Sequence, residues 1–390
     1  MTCLPRGSQH VLLPCVVMFG LALAVVVGRL LAIGDSDITR FAVVGSTYVD
    51  TQKPPPGLHV FPGDGYDGQF AYRLGLAPYD LRTHARGIVI DSPLRAQRIG
   101  YPTIAWLLAA GQARWVPVAL VAANVLALAA LGLLGGMVAR DAGRHPLWGV
   151  LLAGFPGFLF SLGRDLTEIV AAAFAVAGFL AWRRKRPVLA GACLTVAVLS
   201  RETALLAAVG IAAAHLAEVR TRRTASRAAD ASAWLLPVIG FGLWQAVVAA
   251  ETGALPVRTG SGDNMTVPLA GLLPSMLGWL RDATSPPGQA PALLALGQFV
   301  VLCALAGLAA ARLRRLGGAT EVKVGGALAL LLAVCLSSFV LRTPAFFRQL
   351  ADVHVFAAIA LLDAPGRLRL PGAALAVVWA CSAVLIAISI

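Results

Sequence analysis

Residues 101–111 read YPTIAWLLAAG, an apolar stretch of eleven whose reading decides how the whole chain is threaded. A helix of that length rises about 16 Å, roughly half of a hydrocarbon core that needs about 20 residues to cross. The segment therefore reads as re-entrant or interfacial, not as a crossing. Charge supports this choice. With the N-terminus cytoplasmic and 101–111 not crossing, the basic clusters Arg140/Arg144, RRKR 183–186, RTRR 220–223, RLRR 312–315 and Arg367/Arg369 all fall on the cytoplasmic side. If 101–111 crosses, most of them move outside, against the positive-inside tendency.

Outward from this segment, apolar runs occupy 11–33, 115–138, 147–162, 166–182, 187–199, 203–219, 233–250, 291–311, 322–341, 350–362 and 371–390, eleven expected crossings. The first is longer than a signal-peptide core and reads as an uncleaved helix. Hydrophobic residues make up 58% of the chain and charged residues 13%, with a mean hydropathy of +0.78. A soluble domain carries roughly a quarter charged residues, so that class is excluded. The expected fold is an all-α polytopic membrane protein of about eleven transmembrane helices. It forms a single integral membrane domain over 1–390, with an external loop at 34–114 holding interfacial or re-entrant segments and a second external loop at 251–290. The net charge of +13 sits in short clusters between apolar runs, which points to cytoplasmic loops and not to nucleic acid. The six cysteines show no paired ligand spacing, so neither a disulfide framework nor a zinc site is expected.

This threading sorts the acidic residues to the external side. The stretch GDGYDGQFAYRLGLAP, 63–78, carries Asp64 and Asp67 among glycines and aromatics, and Phe70, Tyr72 and Leu74 would hold it against the membrane face. Asp35-Ser36-Asp37 closes the first helix; a D-x-D can take a divalent cation, but no metal-ligand cluster is indicated and no cofactor is expected. In SRET, 200–203, Arg201 and Glu202 would lie in a recess below the outer surface, because the preceding span is short. LGRDLTE, 162–168, sets Arg164, Asp165 and Glu168 in a second tight turn, where Asp165 and Glu168 also have the spacing of a helix capping box. Charges at such depth face a polar cavity or a partner.

The phrases YDGQFAYRLGLAP, RIGYPTIAWLLAAGQ, GRDLTE and LSRETALL, in this order over residues 1–220, resemble bacterial members of the membrane-integral GT-C glycosyltransferase superfamily. The resemblance implies a polyprenyl-phosphate-linked sugar donor, a glycan, lipid or protein acceptor, and an acidic residue of the first external loop at the reaction centre. Its equivalent is Asp67, with Asp64 auxiliary, or an aspartate at the end of the first helix, Asp35 or Asp37. Ala71-Tyr72 stands where many relatives have paired aromatics.

The chemistry is consistent with one carboxylate. Transfer from a sugar phosphate to a hydroxyl needs a general base, while the leaving phosphate is already anionic and needs no acid. An arginine fork would stabilise the departing phosphate; Arg201 is the first candidate, with Arg98, Arg164, Arg342 and Arg348 beside it. The rival readings are a transporter or flippase for a lipid-linked sugar or anion, and a non-catalytic partner in envelope-polymer assembly. A transporter would carry ionisable residues or broken helices at mid-bilayer in both halves.

Overall fold

The computed structural model describes residues 10–33, 36–51, 57–222, 228–259, 262–285, 288–343 and 346–364. Asp35, Arg367, Arg369 and the expected last crossing at 371–390 lie outside the described residues. The protein is an all-α polytopic membrane protein. Its helices are α1 (Leu12–Ile33), α2 (Gly68–Leu76), α3 (Pro93–Ala96), α4 (Gly100–Leu108), α5 (Val116–Asp141), α6 (Val150–Ala153), α7 (Pro156–Leu162) and α8 (Glu168–Arg183). They continue with α9 (Pro187–Ser200), α10 (Leu205–Arg222), α11 (Ala228–Thr252), α12 (Leu272–Asp282), α13 (Gln289–Leu316), α14 (Thr320–Val334), α15 (Ser338–Leu341) and α16 (Ala351–Asp363).

Runs of Leu, Ala and Val take this form because lipid offers backbone groups no partner, and a helix satisfies them internally. Each expected crossing up to residue 362 is filled by a helix or by consecutive short helices. Among the described residues, Leu12–Ala32, Ala113–Asp141, Glu202–Thr221, Ala229–Thr252 and Gln289–Leu316 are long and apolar enough to cross a membrane by length and composition. Residues 101–111 hold most of α4, a helix of nine residues, and the chain then reverses through Ala110 and Gly111, both at positive φ, into α5.

Helix α5 is central, packed by α1, α4, α8 and α16; α9 lies between α8 and α11, and α10 packs on α14. Among the described residues, the basic clusters gather at one end of this bundle. There Arg183 forks onto Asp363 at 2.6 and 2.9 Å and reaches Glu321 at 3.2 Å, while Arg184 meets Asp141 at 3.1 Å and Lys185 meets Glu218 at 3.3 Å. The opposite end carries the chain between α1 and α5. Its non-helical parts are stitched by two small ladders, Val44–Gly45 parallel to Val60–Phe61 and His84–Ala85 antiparallel to Ile88–Val89, linked by a Val49–Ile88 bridge.

Candidate active site

Two glycines dock this first loop onto the bundle. A Cβ on Gly68, the first residue of α2, would lie 2.1 Å from the carbonyl oxygen of Arg164, and one on Gly100, the first of α4, would lie 2.6 Å from Ser200 Oγ. Only the missing side chain lets α2 sit on the 162–168 turn and α4 on the end of α9. The turn itself passes through Asp165 at φ 49°, a left-handed conformation that Asp tolerates better than most residues. Asn124 of α5 secures it, donating to Leu166 O at 3.0 Å and to the Tyr101 hydroxyl at 2.9 Å, which in turn donates to Leu120 O at 2.9 Å. Gln69 fixes the preceding turn, accepting from Gly45 N and donating to Asp64 O.

Asp67 stands just before α2, about a third exposed, with an arginine on each oxygen. Arg95 donates to Oδ1 at 3.1 Å and Arg348 to Oδ2 at 2.7 Å, and Arg98 lies 4.0 Å from Oδ2. Burial pushes this carboxyl up, but Arg348, Arg98 and Arg95, together with the Arg348 hydrogen bond, outweigh it and hold it at about 2.

Arg348 is held from behind. Its other arm, Nη1, donates at 2.6 Å to Oε1 of Glu168, whose side chain is fully buried. Arg201 donates to the same Glu168 oxygen, to Gln349 Oε1 and, through Nε, to Thr203 Oγ1, while Ser161 Oγ donates to Glu168 Oε2 at 3.0 Å. The helical turn Phe346–Leu350 that carries Arg348 and Gln349 packs on α7, with Phe347 4.7 Å from the Phe155 ring. The Arg348 guanidinium also lies over the Tyr66 ring at 5.1 Å, and that of Arg95 over Phe70 at 4.5 Å. Arg98 spends a bidentate pair on Glu202, at 2.7 and 2.9 Å.

Asp64, Asp67, Arg95, Arg98 and Arg348 line one open cavity of about 600 Å³, together with residues between α11 and α12 and Phe339. Its size matches that of small-molecule sites. Of the other sequence candidates, Glu202 lies against Arg98 and Arg201 lies behind Glu168, where both residues line a separate small void. Arg164 is buried and stacked on Phe160 at 4.0 Å; Tyr72 is buried in α2; Arg342 pairs with Asp282 at 2.9 Å on an exposed face. Asp37 accepts from Thr39 N and Oγ1, both at 2.9 Å, and caps the short helix Ile38–Ala42. Among the described residues, no group of three His, Cys, Asp or Glu side chains is placed to hold a metal ion. Arg95 and Gln349 were not singled out from sequence. Arg95 lies in the four-residue helix α3 and Arg98 in the link from α3 to α4, so no helical periodicity in the sequence pairs them.

Fold and site together define a polytopic helical membrane protein with an arginine–carboxylate cavity at one end of its bundle. No protein-family model and no curated protein matches the sequence. Among solved structures, the chain is similar to ArnT from Cupriavidus metallidurans bound to undecaprenyl phosphate, with a TM-score of 0.48 and 15% identity over 89% of this chain and 59% of that one. It is also similar to the Archaeoglobus fulgidus oligosaccharyltransferase tethered to an acceptor peptide, with a TM-score of 0.43 and 16% identity over 94% of this chain and 54% of that one. The chain thus spans little more than half the length of each.

Proposed function

We propose that the protein is a GT-C-type glycosyltransferase that moves a sugar from a polyprenyl-phosphate-linked donor to a cell-envelope acceptor. The reaction takes place at the external face of the bacterial cytoplasmic membrane, with the N-terminus and the basic end of the bundle inside. The observation that carries this reading is a convergence. The four phrases that resemble GT-C enzymes contribute Asp67, Arg98, Glu168, and Arg201 with Glu202, and these side chains belong to one network of ion pairs with Arg348.

Asp67 takes the proton of the acceptor hydroxyl as the oxygen attacks the anomeric carbon. The bond from that carbon to the phosphate oxygen breaks on the opposite side, which inverts the configuration, and the phosphate leaves with the electron pair. Arg348 and Arg95 meet the charge that accumulates there, in a site where such donors are worth more than in water. Asp64, at the exposed rim, is auxiliary. Glu168, Arg201 and Glu202 do not touch the substrates; they hold the arginines. The reaction calls for no redox cofactor.

The test is incubation of the purified protein with a panel of polyprenyl-phosphate sugars and envelope acceptors, read as sugar-dependent release of lipid phosphate. Release with one donor and loss of release in Asp67→Asn supports the reading; a folded protein that releases none from the whole panel overturns it.

A further inference from the structure

We propose that Asp67 fills the donor-phosphate seat while the donor is absent, so that phosphate binding and release of the Asp67 carboxylate are one exchange. The proposal rests on the glycosyltransferase reading and adds an order of events to it.

The geometry restricts which donors can trade partners. Arg98 is committed to Glu202 through two bonds, and Arg201 to Glu168, Gln349 and Thr203. Two arms that face the cavity, Arg95 Nη1 and Arg348 Nη2, each hydrogen-bond one oxygen of Asp67, while the remaining arm of Arg98, Nη1, stands 4.0 Å from Oδ2. Carboxylate and phosphate present the same kind of acceptor to an arginine fork, so the anionic phosphodiester of the donor, or the monoester it leaves behind, competes for those two arms. Arg348 can change partner without leaving its place, because Glu168, buried beneath it, keeps the other arm.

The exchange has a chemical consequence. With Arg348 and Arg95 on it and Arg98 nearby, Asp67 is a weak base, held at about 2. Once a phosphate draws the arms away, the carboxylate recovers its proton affinity. The acceptor hydroxyl is then deprotonated only when a donor is seated beside it, and the empty site is a poor catalyst.

The experiment measures binding of a polyprenyl monophosphate carrying no sugar to the purified full-length protein. Asp67→Asn and Asp67→Ser remove the competing anion and should bind the lipid phosphate about tenfold or more tightly than wild type, the scale of one exchanged charge-assisted contact. Asp67→Glu keeps the anion and should stay near wild type. Asp64→Asn removes a charge from the same cavity without touching an arginine and serves as the control for bulk electrostatics. Unchanged or weaker binding in both Asp67→Asn and Asp67→Ser overturns the exchange, as does equal tightening in Asp64→Asn. Because this readout needs no turnover, it separates the two ideas. A wild-type protein that transfers no sugar but shows the tightening keeps the exchange and loses the glycosyltransferase reading; normal transfer with no tightening does the reverse.

Discussion

Asp67 and Arg348 are 281 residues apart in the chain and 2.7 Å apart in the fold. This bond joins the first loop to the segment before α16 and makes one cavity out of two distant parts of the sequence. Its partner bond, from Arg348 to Glu168 across 180 residues, is buried, so the guanidinium is fixed on one side and open to the cavity on the other.

Loss of the base should be separable from loss of the fold. Asp67→Asn keeps size and most hydrogen bonding but cannot accept a proton, and transfer should fall about 10²- to 10⁴-fold with membrane insertion unchanged. If Asp67→Asn transfers normally while Asp35→Asn or Asp37→Asn abolishes transfer, the base lies at the end of the first helix.

Arg348 and Arg201 should fail differently. Arg348→Ala should cost about 2–4 kcal/mol of transition-state stabilisation, about 30- to 1000-fold in rate, and Arg348→Lys nearly as much because it loses the planar fork. Arg201 is buried against a buried carboxylate, so Arg201→Ala should lower thermal stability in detergent, by about 1–3 kcal/mol because Arg348 and Ser161 still hold Glu168. Arg201 variants of normal stability that lose lipid-phosphate binding would move the phosphate seat behind Glu168.

Gly68→Ala places a methyl against the Arg164 carbonyl and should push α2 off the 162–168 turn, costing about 1–3 kcal/mol and misplacing Asp67. Gly20→Ala, with open space around it, is the control. Equal unfolding temperatures and equal transfer in the two variants would show that the close approach does not matter.

The Asp67 ion pairs also set a pH dependence. A carboxyl lowered from 3.8 to about 2 contributes stability that is complete above its unfolded pKa and is lost as pH falls through the folded one. The stability difference between wild type and Asp67→Asn should be flat from about pH 8 to about pH 5 and shrink from about pH 4 to about pH 2. A difference that changes between pH 7 and pH 5 would mean that the three arginines do not hold Asp67 in solution.

Orientation is open to cysteine labelling in a variant lacking the six native cysteines. A cysteine at exposed Thr51 should react with an impermeant thiol reagent in intact cells, and one at exposed Lys185, at the basic end, should not. The reverse pattern would place the cavity on the cytoplasmic side.

Composition and apolar run length alone determined that this is an all-α membrane protein and where its long apolar helices lie up to residue 362. A chain this apolar folds in lipid, and in lipid each helix meets its own backbone needs locally, so its position is written in consecutive residues. The aspartate in GDGYDGQF, and Arg98, Arg201 and Arg348 as candidates beside it, were legible too. What each arginine does was not: the sequence ranks Arg201 first, in SRET beside Glu202, and leaves Arg342 and Arg348 as two similar cations near the end of an apolar run. Only tertiary packing separated them, setting Arg342 on Asp282, spending Arg201 on Glu168 and Gln349, and turning one arm of Arg348 toward Asp67. Ion pairing depends on which side chains come within a few ångströms, and contacts that span 33 to 281 residues leave no local signature from which their partners can be read.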